Sequence, residues 1–238
     1  MTGPQLEQLK ENIQQVKLRI QQAAQKAGRS PDEIHLVAAS KMNSAERVQA
    51  AIQNGISIAG ENRVQELLEK YEQGAYEGAQ LHFIGTLQTN KIKYLIGKTA
   101  LIQSVSSEKL GRAIAREAEK KGICQDILLE VNIGMEESKS GLSSNSLLSV
   151  IEQLSVLSGI HIRGLMAIPP ISHGHNENLR YFDRMRGLFI DISKKRYDNV
   201  SMDFLSIGMS NDFEDAISCG ANMVRIGTAI FGLRPYMR

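Results

Sequence analysis

The sequence predicts an α/β protein folded as a single (β/α)8 TIM barrel with one additional helix at its amino terminus. Short apolar segments alternate with amphipathic segments along the chain, and eight alternations fit within 238 residues. Strict alternation indicates parallel strands joined by right-handed crossover helices. A doubly wound open sheet is the alternative, because a periodic pattern does not show whether the sheet closes.

The amino-terminal helix is amphipathic. Its apolar residues recur every three or four positions: Leu6, Leu9, Ile13, Val16 and Ile20. This spacing places them on one face of a helix over about residues 4–27, and Gly28 provides the stop. No linker or low-complexity segment interrupts the chain, so we expect residues 1–238 to form one domain.

The predicted strands are the eight apolar segments 34–40, 56–62, 81–87, 101–107, 126–134, 160–168, 204–210 and 223–232. Several of the segments between them begin with Ser, Asn or Asp and end with Gly, as helix capping favours. The carboxyl ends of parallel strands meet at one end of such a barrel. Function gathers in the loops there, and phosphate is often bound after strands seven and eight.

Composition argues against several classes of protein. A net charge of +2 is too small to predict a nucleic-acid or other polyanion partner. No apolar run is long enough for a membrane span, and the amino terminus has no signal-peptide core. Cys124 and Cys219 lie far apart without metal-ligand spacing, which fits a reducing compartment. We therefore expect a cytoplasmic protein without nucleic-acid or membrane partners, and we expect a monomer.

The first predicted strand ends on a lysine, Lys41, although the strand is apolar enough to be covered on both faces. Lys41 either points into solvent or stands at the ligand-binding end of the barrel and acts as an amine. Arg225 lies within apolar strand eight, where an arginine is costly unless it meets an acid, a carbonyl or a ligand. Lys41 shares a strand face with Val37 and Ala39. If that face is the barrel interior, both cations converge on one pocket.

The loops after strands seven and eight contain the residues of a phosphate site. Gly208 and Ser210 precede a helix start, and Gly227-Thr228 offers close backbone approach and a second hydroxyl. Helix capping and tight packing explain each loop separately, but the two loops together predict phosphate binding. An amine, an arginine and a phosphate site describe a pocket for pyridoxal 5′-phosphate (PLP).

Six motifs occur in order along nearly the whole chain: VAASKMN (37–43), GENRVQE (60–66), HFIGTLQTNK (82–91), VNIGMEESKSG (131–141), GLMAIPP (164–170) and SIGMSNDFEDAISCGANMVRIGTAIFG (206–232). Together they resemble the YggS/PROSC family of pyridoxal phosphate homeostasis proteins. The resemblance implies a barrel related to the N-terminal domain of alanine racemase, with PLP bound as a Schiff base. It also implies a role in intracellular vitamin B6 homeostasis, as a cofactor carrier rather than a catalyst.

The resemblance further implies which residues bind the cofactor. They are Lys41, Asn62, Met209, Ser210, Arg225, Gly227 and Thr228. In this assignment Lys41 forms the Schiff base, Arg225 faces the ring nitrogen, and Asn62 lies near the cofactor. The phosphate is held by the G-M-S and R-I-G-T motifs. No metal site and no catalytic residue are implied.

Three positions depart from the family pattern. Ala59 and Arg63 replace two aromatic residues that commonly flank the G-E-N motif, and Ala39 stands where valine is common. The implied ligating residues are intact. The departures therefore concern the wall of the pocket and its space for a substrate.

Three functions fit this pocket. The first is a module that binds PLP and delivers it to PLP-dependent apo-enzymes, with free amino acids as weak ligands. The second is an amino-acid racemase or related enzyme, and the third is a barrel enzyme acting on a sugar phosphate. Arg225 disfavours the racemase, because a permanent cation opposes protonation of the ring nitrogen and weakens the ring as an electron sink. We also expect no second domain after strand eight to supply a second base, and hence no physiological turnover.

Other polar residues have structural explanations. His82 begins the third strand in an apolar context, which favours a barrel-layer histidine over a catalytic base. His173 and His175 lie in a polar loop, where two ligands without a third are weak support for a metal site. Glu61 either orients a basic group or caps the following helix.

Overall fold

Pairing between the first and last strands closes the sheet into a barrel. The computed structural model describes residues 1–136, 139–171 and 176–232. Its strands are β1 His35–Ala39, β2 Ile58–Glu61, β3 Gln80–Phe83, β4 Leu101–Val105, β5 Gln125–Glu130, β6 Ile160–Met166, β7 Val200–Ser206 and β8 Met223–Ile226. They are parallel and hydrogen-bonded in chain order, and β1 also pairs with β8, with Val37 opposite Arg225. The (β/α)8 barrel is therefore confirmed, and the open sheet is wrong.

Helices cover the outside of the barrel. They are α1 Gly3–Lys26, α2 Ala45–Gln53, α3 Val64–Glu72, α4 Ile92–Leu95, α5 Glu108–Lys120, α6 Leu147–Leu154, α7 Leu179–Ser193, α8 Phe213–Ser218 and α9 Thr228–Phe231. Two of these helices have a serine N-cap. The Ser44 hydroxyl accepts a hydrogen bond from the Arg47 amide, and the Ser107 hydroxyl accepts one from the Leu110 amide. Across the described part of the chain, no helix combines the length and apolarity needed to cross a membrane.

The last predicted strand, 223–232, is too long. β8 ends at Ile226, and the residues from Thr228 onward form α9 instead. Ile230 and Phe231 are buried outside the barrel in the apolar cluster that contains Leu9 of α1, so they pack as a helix face. A short apolar run does not distinguish a strand from a buried helix by its periodicity.

Three further strands differ from the prediction by four residues at one end or at both. β3 ends at Phe83, whereas the apolar segment runs to 87. β5 ends at Glu130, whereas the apolar run suggests an end at 134, and β7 begins at Val200 rather than at 204. The early part of β7 contains Ser201 and Asp203, whose side chains are hydrogen-bonded to each other at 2.5 Å. These polar residues make the beginning of the strand look like a loop.

Apolar side chains fill the interior of the barrel. The cluster draws residues from around the whole barrel: Val37, Ile58, Ile84, Leu101, Leu128, Met166 and Met223. Side chains alternate between the two faces of a strand, so the face of Val37 and Ala39 is the interior, and Lys41 follows on the same side. Arg225 follows Met223 on the interior face of β8 and is buried. The interior therefore changes from apolar to polar toward the carboxyl ends of the strands.

Helix α1 supports the two helices that follow β7 and β8. Its buried residues Leu9 and Ile13 share an apolar cluster with Phe213 of α8 and Ile230 of α9. The Asn12 side chain donates to the Ile230 carbonyl at 2.9 Å. The predicted amino-terminal helix is confirmed, and it supports the side of the barrel where the phosphate loops are expected.

Candidate functional site

Lys41 stands where strands β1 and β8 touch at their carboxyl ends. It is partly buried, in the turn directly after β1. Two residues earlier, Ala39 approaches Gly227 so closely that a Cβ at Gly227 would lie 3.2 Å from the Ala39 carbonyl oxygen and 3.3 Å from its Cβ. A larger residue at 227 would push the two strand ends apart. The structure thus brings the lysine turn and the end of β8 together.

Ser210, Gly227 and Thr228 also lie together. The Ser210 hydroxyl accepts a hydrogen bond from the Ala229 amide at 3.4 Å, which joins the loop after β7 to the first turn of α9. The backbone N–H groups of Gly227 and Thr228 have no acceptor in the part of the chain that the structure describes. Two N–H donors beside a hydroxyl form a small anion-binding surface.

A buried carboxylate holds the turn that contains Met209 and Ser210. The Met209 amide donates to Asp212 Oδ1 at 2.7 Å, and Asp212 Oδ2 accepts from Asn178 Nδ2 at 2.8 Å. Gly208, with a φ of 94°, allows α8 to pack closely, since a Cβ there would lie 2.6 Å from the Ala216 Cβ. Met209 takes part in this turn through its backbone, and its amide N–H is hydrogen-bonded to Asp212.

Arg225 is a buried cation with defined partners. Its NH1 donates to the Ser206 carbonyl at 2.7 Å and to the Ser206 hydroxyl at 2.6 Å, and its NH2 donates to the Ala167 carbonyl at 2.9 Å. These bonds use three of the five guanidinium N–H groups; the Nε–H and one N–H on NH2 have no acceptor among the described residues. Burial lowers the pKa of Arg225 to about 10, although Glu130 and Asp212 oppose the shift. The side chain therefore remains charged at neutral pH and offers two N–H donors to a ligand.

A chain of hydrogen bonds across the barrel interior supports Arg225. The Ser206 hydroxyl donates to Gln103 Oε1 at 2.7 Å, and Gln103 Nε2 contacts His82 Nδ1 at 3.0 Å. Burial lowers the pKa of His82 to about 3, with a smaller contribution from His35, so the imidazole is neutral. Its Nδ1 accepts from Gln103, which leaves the proton on Nε2. His82 is thus a barrel-layer histidine, as the sequence suggests, and it sets the orientation of the Gln103 amide.

Asn62 presents an unpaired polar atom. It follows β2 and continues the inward-facing series of Ile58 and Gly60, and its buried Oδ1 has no hydrogen-bond partner among the described residues. Its backbone is held against Gly85, where a Cβ would lie 2.1 Å from the Asn62 carbonyl oxygen. An unsatisfied buried amide costs about 1–3 kcal/mol. A polar group of a ligand would remove this cost.

Glu61 lies on the opposite face of β2 from Asn62 and is fully buried. Its Oε1 accepts from the Ser40 hydroxyl at 2.7 Å, from Lys70 Nζ at 2.7 Å and from the Tyr76 hydroxyl at 3.1 Å. Glu61 therefore orients a basic group, Lys70, which was one of the two alternatives. Burial raises the pKa of the Glu61 carboxyl, and Lys70 opposes that shift.

The structure adds residues that sequence reasoning missed. Lys70 carries a recognisable signal, because Val64, Leu67 and Lys70 are spaced three apart on the buried face of α3. Gln103 and Ser206 lie at inward-facing strand positions, where a polar residue is unusual. In the described ranges, no three side chains of His, Cys, Asp or Glu lie together as a metal site would require. His173 and His175 lie outside the described residues.

The fold and the site define an alanine-racemase-type barrel. The family model described as the N-terminal domain of alanine racemase matches residues 5–235. The pyridoxal phosphate homeostasis protein of Aquifex aeolicus is 42% identical over 226 residues, which cover 95% of this chain and 98% of that protein. The chain belongs to the alanine racemase N-terminal domain family and, within it, to the pyridoxal phosphate homeostasis proteins. The family inferred from the motifs is confirmed.

Solved structures agree with this assignment. A crystal structure of an unknown protein from Bifidobacterium adolescentis has 33% identity and a TM-score of 0.92, with 97% of both chains covered. The structure of PipY from Synechococcus elongatus, with PLP bound, has 30% identity and a TM-score of 0.78. That alignment covers 90% of this chain and 100% of the PipY chain.

The buried histidine predicts a distinct response to acid. The pKa of His82 falls from 6.5 to about 3 on folding, so the stability that depends on neutral His82 is present above pH 6.5 and is lost as the pH falls toward 3. In His82→Asn the amide oxygen can still accept from Gln103, but the residue does not titrate. We expect the free energy of unfolding of the wild type to decrease more steeply over this range, by up to about 1.4 kcal/mol per pH unit. Chemical denaturation at a series of pH values measures both slopes, and parallel slopes would contradict the assignment.

Proposed function

We propose that this protein binds PLP covalently through Lys41 and acts in PLP homeostasis as a carrier. The observation that carries the proposal is the convergence of three groups at the carboxyl end of the barrel. The turn that carries Lys41, the Arg225 side chain and the anion-binding surface of Ser210, Gly227 and Thr228 all lie at the carboxyl ends of β1, β7 and β8, which supports a shared site. The names of the relatives and the PLP in the PipY structure support the same reading.

The residues present fit the functional groups of PLP. When bound, PLP supplies an aldehyde, which forms a C=N bond with an amine and releases water, and a ring that can accept electrons. Lys41 provides the amine, and the Ser210 hydroxyl with the Gly227 and Thr228 amides provides donors for the phosphate. The unpaired amide of Asn62 suits a polar substituent of the ring.

Arg225 supports binding without turnover. Arginine only donates hydrogen bonds, so a ring nitrogen that contacts its two spare N–H groups must accept, and must therefore be unprotonated. Such a ring is a weak electron sink, which disfavours the racemase alternative. Lys41 is partly buried and Thr228 is exposed, so the site has a solvent-accessible side through which PLP can enter and leave. We infer that the recipients are PLP-dependent apo-enzymes and that free amino acids are weak ligands.

Lys41 is expected to carry the covalent link. Protein loaded with PLP and reduced with borohydride should show a single labelled peptide that contains Lys41, because borohydride converts the C=N bond into a stable C–N bond. Lys41→Ala should fold, lack the visible absorbance of the bound cofactor and take up no label. A label on Lys91 or Lys139 in the wild type would show that the assignment is wrong.

Ser210 is expected to discriminate between PLP and pyridoxal, which lacks the phosphate. Ser210→Ala removes one charge-assisted hydrogen bond, which is worth roughly 1.5–3 kcal/mol. PLP affinity should fall about ten- to a hundredfold, while pyridoxal affinity should change little. Ser218→Ala, an exposed serine in α8, serves as the matched control. Equal losses for both ligands in Ser210→Ala would rule out a phosphate role.

Catalysis by the loaded protein is expected to be negligible. The α-proton of alanine and other amino acids should exchange slowly or not at all in D2O, followed by NMR, because Arg225 leaves the ring a poor electron sink. In the same solution, PLP should pass to an apo-enzyme and restore its activity. Exchange on the order of 1 per second or faster, abolished in Lys41→Ala, would instead establish the racemase-like alternative.

A further inference from the structure

Side chains outside the barrel hold the two peptide groups that flank Lys41. The carbonyl of Ser40, which precedes Lys41, accepts from Lys70 Nζ at 2.9 Å. The amide of Met42, which follows Lys41, donates to Glu66 Oε1. The carbonyl of Lys41 itself accepts from Asn43 Nδ2 at 3.1 Å. The backbone on both sides of the lysine is therefore fixed, and Glu66 and Lys70 both come from α3.

Lys70 does more than balance a buried acid. Its side chain is 6% exposed, and Nζ lies 2.7 Å from Glu61 Oε1 and 2.8 Å from Glu66 Oε1. With the Ser40 carbonyl, these acceptors match the three N–H bonds of an ammonium group. Two acids already neutralise the lysine, so charge balance alone does not require the third bond. That bond is directed at the peptide group that leads into Lys41.

Met42 has an unfavourable backbone conformation, in a turn that is closed by a hydrogen bond from the Asn43 amide to the Ser40 carbonyl at 3.2 Å. Its φ is 62°, in the left-handed region that residues other than glycine rarely adopt. Met42 is 65% exposed, so packing of the methionine offsets little of the unfavourable backbone conformation. The hydrogen bond to Glu66 stabilises this conformation. Without it, the bonds from Asn43 and Lys70 remain to restrain this turn, but we expect the backbone at Lys41 to be less well fixed.

We propose that Glu66 and Lys70 are positioning residues for Lys41: helix α3 holds the turn after β1 so that the lysine amine is aligned with the phosphate surface and Arg225. The inference rests on the proposed function, since the alignment matters only for a ligand that spans these groups. Neither residue belongs to the PLP site itself. Their effect should therefore appear in the rate of covalent attachment rather than in the chemistry of the amine.

Variants of Glu66 separate positioning from other effects. Glu66→Ala removes the acceptor of the Met42 amide, whereas Glu66→Gln retains an Oε1 that can accept from both Met42 and Lys70. Glu69→Ala, an exposed acid on the same helix, is the control. PLP attachment, followed by visible absorbance, should slow about tenfold in Glu66→Ala. In Glu66→Gln and Glu69→Ala the rate should stay within about twofold of the wild type.

Two measurements without PLP complete the test. Reductive methylation of Lys41 by formaldehyde and cyanoborohydride needs no alignment, so its rate should stay within about twofold of the wild type in all three variants. Hydrogen exchange at the Met42 amide should accelerate only in Glu66→Ala. The proposal is overturned if Glu66→Ala takes up PLP at the wild-type rate, if Glu66→Gln is equally slow, or if methylation slows in parallel. If the wild-type protein takes up no PLP, the proposed function is wrong. If the hydrogen-exchange rate of the Met42 amide is the same in Glu66→Ala as in the wild type, the proposed role of α3 is wrong.

The same role can be tested at Lys70. Lys70→Met alone leaves Glu61 buried without its cation and risks unfolding. The double variant Lys70→Met/Glu61→Gln removes both charges together and still removes the donor to the Ser40 carbonyl. It should fold and should slow PLP attachment about tenfold, while Glu61→Gln alone should keep a rate close to that of the wild type. Equal rates in the single and double variants would contradict the role of Lys70.

Discussion

The burial of one guanidinium group organises the interior of this barrel. Arg225 cannot lie among apolar side chains without acceptors, and it finds them on two neighbouring strand ends, at Ser206 and Ala167. The Ser206 hydroxyl is in turn held by its hydrogen bond to Gln103, and the Gln103 amide is held by its hydrogen bond to neutral His82. Strands β3, β4, β7 and β8 are thus linked through one polar layer above an apolar one. The position of the Arg225 guanidinium therefore determines where a hydrogen-bond acceptor of a ligand can lie.

Strand alternation divides the ends of β1 and β2 into two sets of residues. Ala39 and Asn62 belong to the inward series, which leads to the proposed cofactor site. Ser40 and Glu61 belong to the outward series and lie buried beneath the helices, where they meet Lys70. The inward set supplies groups for a ligand, whereas the outward set fixes the backbone that carries them. A change on either face can therefore alter the proposed binding, but by different physical routes.

Membership of an alanine-racemase-type family does not by itself determine an activity, since one barrel can support several chemistries. The decisive local feature is the donor-only Arg225, which favours an unprotonated ring nitrogen in the proposed complex. A covalent site of this kind can hold a reactive aldehyde without using its full electron-accepting power.

The amino-acid sequence was enough to predict the eight βα units, the amino-terminal helix, the structural role of His82 and the family. These features depend on local periodicity, helix capping and motifs, all of which can be recognised within a short stretch of sequence. The folded chain was needed to show that β1 pairs with β8, that the end of the apolar run 223–232 is helical, and that Glu61 orients Lys70. The partners of Arg225 and Lys70 include backbone carbonyls far away in the chain, at Ala167 and Ser40. Every residue has such a carbonyl, so residue identity cannot reveal which one is used, and only the folded chain brings donor and acceptor together.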